Sequence, residues 1–266
     1  MIWLQLAAFF PLAILGWVAG RRVASRGGWG WGVAATFLIL LLVILGHRWP
    51  RAAFVPPVSW AVHPDVSPLL MTATIALLFG TLLPRLPVRR RVAVRLVTGI
   101  MLLNYGLLPA ALPLAARSAL ASTQTHLDRQ GVCKQTHAYT CGPAAAVTCL
   151  GRLGIRAEEG ELAVAARCGP VVGTHGGLLA GAIMERFPDV EARYRYVEAL
   201  DDLQMPAAAE MIMPVIGGHF VAVLEVGPEF VVVGDPMSGR GRVPRERFRE
   251  EWTGAAVEMV RRALSQ

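Results

Sequence analysis

Four long apolar runs, residues 2–20, 29–46, 69–83 and 96–116, crowd the first 117 positions, and no acidic residue falls inside any of them. Roughly 20 apolar residues of helix cross a hydrocarbon core of about 30 Å. The first, second and fourth runs reach that length, and the third does so once Pro84 to Leu86 are included. Buried core helices would be the alternative, but four such runs in succession predict membrane-spanning helices. The first run starts at Met1 with no basic stretch before it and no small-residue cleavage site, so a retained helix is expected rather than a cleaved signal peptide. Asn104 and Tyr105 are polar residues within the fourth run. They read as a helix–helix hydrogen bond or an interfacial ring, with a transport role as the alternative. Trp29, Trp31, Trp49 and Trp60 flank the runs as an aromatic belt would.

Charge sets an expected orientation. Residues 1–117 hold eleven arginines and one acid, Asp65, while the other eighteen acids come later. The loop after the first run carries Arg21, Arg22 and Arg26, and the loop after the third carries Arg85, Arg89, Arg90, Arg91 and Arg95. The loop after the second has only Arg48 and Arg51. The positive-inside rule then puts the first and third loops in the cytoplasm and everything after the fourth run outside. If the fourth run, with Pro109 and Pro113, only lies in the interface, the second half is cytoplasmic instead. The net charge of +7 resides mostly in this first half. No basic stripe with interleaved aromatics follows, so nucleic acid is not an expected partner.

The expected domains are a membrane region, 1–117, a polar linker, 118–130, and a soluble domain, 131–266, long enough to bury its own core. From Thr140 the pattern is helical, with helices expected over 144–153, 158–168, 177–187 and 245–251. Short β-rich runs, 210–216, 219–226 and 229–234, are separated by Gly217-Gly218 and Gly227-Pro228 turns. The expected fold class is an α-helical membrane region plus an α+β domain, its N-terminal helices packed on a C-terminal antiparallel sheet.

Chemistry concentrates in Gln135-Thr-His-Ala-Tyr-Thr-Cys141-Gly142-Pro143 together with His219 and Asp235. Cys141 opens a helix, where the positive end of the helix dipole favours thiolate, the nucleophilic form. Gln135 could donate a side-chain N–H to an oxyanion beside the backbone N–H of Cys141. His219 begins a strand after a Gly-Gly turn, and Asp235 ends the next one, so a hairpin could hold the carboxylate against the ring and fix its tautomer. Gly142 is expected to leave room for a substrate backbone near the sulfur, and Gly218 to line the same cleft. Taken singly, each residue has a plainer reading: a core cysteine, a surface histidine, a turn aspartate. His175 reads as a loop residue, with a second candidate base as the alternative, and His137 as solvent-facing. Cys133, Cys149 and Cys168 are either free or supply one disulfide. No Cys-x-x-Cys or His-x-x-x-His pair occurs, so no metal site is expected, and no cofactor.

The set resembles the papain-like cysteine peptidase domain that trims double-glycine leaders from bacteriocins, best known in bacteriocin-exporting ABC transporters. The resemblance covers about residues 131–254 and rests on Gln135…Cys141-Gly142, His219-Phe-Val-Ala-Val, Gly234-Asp235-Pro236 and Phe248…Trp252-Thr-Gly254. It implies Cys141 as nucleophile, His219 as base, Asp235 as its orienter and Gln135 as oxyanion donor. The chain departs from the transporters in lacking a Gly-x-x-x-x-Gly-Lys-Ser/Thr phosphate loop, so ATP is not expected, and in placing its membrane runs before the domain. The transporter-linked domain works in the cytoplasm, whereas the charge rule puts this one outside.

Together these readings predict a multi-pass cysteine peptidase of the bacterial inner membrane, acting on a peptide or protein substrate at the bilayer, such as an exported leader peptide. The alternatives are a non-catalytic peptide-binding module of an exporter or secretion complex, and a cell-wall amidase or transpeptidase using the same residues.

Overall fold

A computed structural model describes residues 2–213 and 217–262. The chain divides into two compact units, Met1–Leu112 and Pro113–Gln266. The first unit is helical: α1 (Ile2–Ser25), α2 (Trp29–Arg48), the short α3 (Val58–Val62), α4 (Ser67–Leu82) and α5 (Val88–Leu102), followed by a π-turn at Leu103–Leu107 and the start of α6 (Leu108–Ala121). Four stretches are long and apolar enough to cross a membrane: Ile2–Ser25, Trp29–Gly46, Ser67–Arg85 and Val88–Ala121. Each contains one of the four expected runs. The third gains its length from a 3₁₀ turn, Leu83–Arg85, that carries the helix past Pro84. The fourth accommodates its prolines by widening: Pro109 has no N–H for the Tyr105 carbonyl four residues back, and the π-turn spans that residue.

Glycine rather than leucine brings these helices together. A Cβ on Gly16 would lie 2.8 Å from the Ala73 carbonyl, one on Gly20 2.4 Å from that of Leu77, and one on Gly80 2.6 Å from that of Trp17. Gly16 and Gly20 form the small-xxx-small spacing that lets two helix backbones touch in lipid. The hydroxyls of Thr36, Thr72, Thr81 and Thr98 each donate to the carbonyl four residues earlier, at 2.7–2.9 Å, which satisfies them within their own helices. Asn104 does the same through Nδ2 to Ile100 O, 2.9 Å. The buried Gln5 amide donates to Pro64 O and to Asp65, the unit's one acid.

The second unit is α+β. It contains β1 (His126–Leu127) and β2 (Cys133–Lys134), then α7 (Cys141–Arg152), α8 (Glu159–Ala165) and α9 (Gly176–Arg186). There follow β3 (Val190–Tyr196), β4 (Ala207–Met213), β5 (Gly217–Val226), β6 (Phe230–Asp235), β7 (Gly239–Pro244), α10 (Arg245–Glu251) and β8 (Trp252–Arg261). β1 pairs with β2, which gives the 118–130 stretch a strand of its own. The main sheet is antiparallel, in the order β3-β8-β4-β5-β6-β7. The expected strand 210–216 is displaced to Ala207–Met213, and residues 214–216 lie outside the described ones. Gly217 and Gly218 belong to β5 rather than to a turn.

Both faces of the sheet are buried. On one, Ala208, Phe220, Ala222, Val257 and Met259 pack against α7, α8 and α9. On the other, Ala209, Met211, Val221, Val223 and Ala256 enclose Phe248 of α10. Residues Cys141–Leu150 of α7 are all buried, and their run of alanines lets the helix lie close against the sheet. α7 is thereby fixed with its first residue at the sheet end that carries His219.

Candidate active site

Thr140 is the N-cap of α7 and Cys141 the first helical residue, so the N–H groups of this turn have no partner within the helix. Cys141 is buried, 7% exposed. Register brings the other two groups to it. Ala222 pairs with Gly234, so Asp235, one residue on, falls beside Val221, and His219 lies diagonally across on the same face. Nε2–H of His219 donates to Asp235 Oδ1 at 2.8 Å. The other ring nitrogen is left for the sulfur, and the Cys141 side chain is among the groups that raise the ring's pKa. The structure thus places His219 in contact with Asp235, with the Cys141 side chain close enough to the ring to act on it.

Burial alone would push the His219 ring down, because it disfavours the charged form. The hydrogen bond to Asp235 and the nearby Cys141 side chain, with their charges, outweigh it and lift the ring from 6.5 to about 9. Burial likewise opposes the Asp235 carboxylate. Hydrogen bonds from His219, Ser238 and the Met237 N–H prevail and hold it well below the usual carboxylate range.

Asp235 owes its position to a three-residue turn. Asp235 pairs with Gly239, whose φ of +98° is a conformation that favours glycine. Within the turn, Met237 N–H donates to Asp235 Oδ1 at 2.9 Å and the Ser238 hydroxyl to Oδ2 at 2.5 Å. The strand before Gln135 ties the turn down: Gln135 N–H donates to Pro236 O at 3.1 Å, and Lys134 Nζ to Met237 O. Sequence reading missed Ser238 and Lys134. A serine three residues past an Asp-Pro signals a side-chain-capped turn, but nothing local identifies which carboxylate needs capping.

Gln135 lies on the loop into α7. Its Nε2 donates to His137 O at 3.0 Å, which leaves a second N–H on the same nitrogen. Its Oε1 is buried without a hydrogen-bond partner. The same His137 carbonyl receives Thr140 N–H at 3.2 Å and the Thr140 hydroxyl at 3.0 Å, so the amide is anchored on a fixed acceptor.

The glycine expectations divide. Gly142 does not leave room for a substrate: a Cβ there would meet Thr174 Cγ2 at 2.6 Å. Thr174 follows a tight loop closed by Gly169 and Gly173, and its hydroxyl donates to Tyr139 O at 3.2 Å. The glycine admits this loop, not a ligand. Gly218 is exposed, and a Cβ on it would meet nothing within 4 Å.

His175 caps α9, accepting Gly177 N–H on Nδ1 at 3.1 Å. His137 does not simply face solvent: it stacks on Tyr139 and its Nε2 lies 3.2 Å from the Thr123 hydroxyl. All four cysteines are free. Burial raises the Cys133 and Cys168 thiols to about 12 and that of Cys149 further. Among the described residues no group of three His, Cys, Asp or Glu side chains could hold a metal ion. A cleft of about 310 Å³ in the first unit, between α1, α2 and α4, offers one unpaired hydroxyl, Thr74, and no titratable group.

The sequence model of the peptidase C39 family matches residues 129–263. An uncharacterised protein of Methanothermobacter marburgensis is 30% identical over 138 residues, 52% of this chain and 94% of its own. One from Methanothermobacter thermautotrophicus is 30% identical over 139 residues, 52% and 93% of the two chains. Among solved structures, the peptidase domain of Streptococcus ComA, a bifunctional ABC transporter of a quorum-sensing pathway, is similar at 22% identity and a TM-score of 0.44, over 48% of this chain and 96% of that one. A double-glycine motif protease from an AMS/PCAT transporter, in complex with its leader peptide, is similar at 18% identity and a TM-score of 0.41, over 51% and 91%. On the match that runs from residue 129 to residue 263, the chain belongs to the peptidase C39 family.

Proposed function

We propose that the second unit is a thiol peptidase and that the helices of the first anchor it in a cell membrane. The observation that carries this reading is the 2.8 Å His219–Asp235 contact, in a ring that is also raised by the Cys141 side chain at the N-terminus of α7. His219 takes the Cys141 proton, and the raised ring favours a thiolate–imidazolium pair. The thiolate attacks a peptide carbonyl and a C–S bond forms. The negative oxygen meets the free Gln135 N–H and the Cys141 backbone N–H. The C–N bond then breaks, with the proton on His219 passing to the leaving amine. Water attacks the thioester, giving its proton to His219, and releases the acid and the thiol. Asp235 keeps Nε2 protonated, so the nitrogen facing sulfur is the one that exchanges protons. The membrane spans restrict the substrate to peptides that reach the bilayer, exported leader peptides among them, and an exporter is the partner such a substrate implies. The arginine-rich loops favour the outer side for the second unit.

Full-length chain in detergent, given peptides ending in Gly-Gly-x, tests this reading. Cys141→Ala should remove turnover, by about 10⁴-fold or more, with an unchanged circular dichroism spectrum. Iodoacetamide at neutral pH should label Cys141 well before Cys133, Cys149 or Cys168. Turnover that survives Cys141→Ala, or equal labelling of all four, would refute the reading. Alkaline phosphatase fused after residue 266 should be active if the unit lies outside.

A further inference from the structure

We propose that Glu159 is a positioning residue for the oxyanion donor Gln135, an inference that rests on the thiol-peptidase reading. Glu159 opens α8 and is 0% exposed. Both of its oxygens grip one residue: Oε1 accepts Thr136 N–H at 2.9 Å, and Oε2 accepts the Thr136 hydroxyl at 2.8 Å. Its own N–H donates to Thr125 Oγ1 at 2.8 Å, which fixes the start of the helix that carries it. Stability gives little reason for such a group, since apolar replacement of buried charge is often neutral or stabilising. A carboxylate does what an apolar side chain cannot: it holds the backbone and the side chain of one residue at once.

Thr136 sits between the two residues that set the amide of Gln135. On one side, Gln135 N–H is fastened to Pro236 O. On the other, the His137 carbonyl receives Gln135 Nε2 and is itself held by Thr140. Those contacts run to the Asp235 turn and to the first turn of α7. The grip on Thr136 comes from α8, a third element, and sets how far the Gln135–His137 segment stands above the helical layer. Releasing it lets His137 O, and the amide hanging on it, drift from the reacting oxygen while Cys141, His219 and Asp235 stay in place.

Two probes on the full-length chain in detergent micelles separate this role from general support. Acetyl-Leu-Gly-glycinal adds the Cys141 thiol across its C=O, with the S–H proton passing by way of His219, and leaves a tetrahedral oxygen in the oxyanion site. Iodoacetamide loses iodide as the C–S bond forms and develops no such oxygen. Gln135→Ala and Glu159→Ala should each weaken the aldehyde by about 10- to 100-fold and lower kcat with little change in KM, leaving the alkylation rate of Cys141 as in wild type. The double variant should be no weaker than Gln135→Ala alone, within about twofold. Glu159→Gln keeps an acceptor for Thr136 N–H, preserves side-chain volume, and should lose about fivefold, an effect that vanishes in the Gln135→Ala background. Additive losses, wild-type aldehyde affinity in both Glu159 variants, or alkylation slowed in step with the aldehyde would overturn the inference alone. A wild-type chain that takes up no aldehyde would remove the peptidase reading, and this inference with it.

Discussion

The two units use the same apolar residues in opposite ways. In the first, Trp3, Phe10, Phe37 and Val88 stand 65–74% exposed, a surface suited to hydrocarbon. In the second, Leu150, Leu162, Phe248 and Met259 are 0–1% exposed. Water drives the second kind of packing, at about 25 cal/mol per Å² of apolar surface removed. Lipid offers no such gain, because a tail is as apolar as leucine, so helix contact there depends on close backbone approach. The information that specifies each unit therefore sits in different residues: large ones in the second, small ones in the first.

That contrast can be broken by substitution. Phe248→Ala should cost the second unit about 3–5 kcal/mol, read as a lower urea midpoint of tryptophan fluorescence. A smaller loss would mean that α10 contributes little to the buried face. Within the site, Asp235→Asn should lower kcat by about 10²-fold without unfolding, since it spoils orientation and leaves the nucleophile; an unchanged rate would assign the orienting role elsewhere. In the first unit, Gly80→Leu should destabilise helix packing by about 1–3 kcal/mol, whereas Phe10→Ala should change it by less than about 0.5 kcal/mol, both read as thermal aggregation in detergent. The reverse order would put the first unit under the rules of the second. Last comes pH. His219 is raised from 6.5 to about 9, so its contribution is complete below 6.5 and is lost as pH rises through about 9. Asp235 is lowered, so its contribution is present above 3.8 and lost as acid protonates the folded carboxylate. The second unit should weaken at both extremes, and Cys141→Ala should blunt the alkaline loss by removing one of the ring's partners.

Each group of the proposed site carries a local sign: a cysteine before a proline-started helix, a histidine within a β-rich run, an Asp-Pro closing the next. Gln135 could be proposed from spacing as an oxyanion donor, but the packing of Gly142 could not be read, because Thr174 arrives from more than thirty residues away. The long apolar helices were equally readable, apart from the Gly16–Gly20 contact with α4, which shows only once the partner helix is known. The sheet was half visible. β5 and β6 carry valine runs between turn residues. β8 reads Gly-Ala-Ala-Val-Glu-Met-Val, with alanine, glutamate and methionine that favour helix. It is buried on both faces, so polar and apolar residues do not alternate along it, and its glutamate, Glu258, is hidden by two hydrogen bonds from Arg195 at 2.6 and 2.8 Å. β3 and β7 are edge strands rich in arginine and lack the apolar density that marks a strand.

The placement of β8 has a bearing on synthesis. It lies between β3 and β4, yet both precede it in the chain, and β3 has no other neighbour in the sheet. Val190 must wait for Arg261 before it finds its partner. A nascent chain can close the β4–β7 meander that holds His219 and Asp235 while the flank beside β4 is still open, and such distant pairing is slow. A chain released before residue 252 would therefore display the hairpin that carries His219 and Asp235 next to a bare sheet edge, a form that quality control has reason to remove.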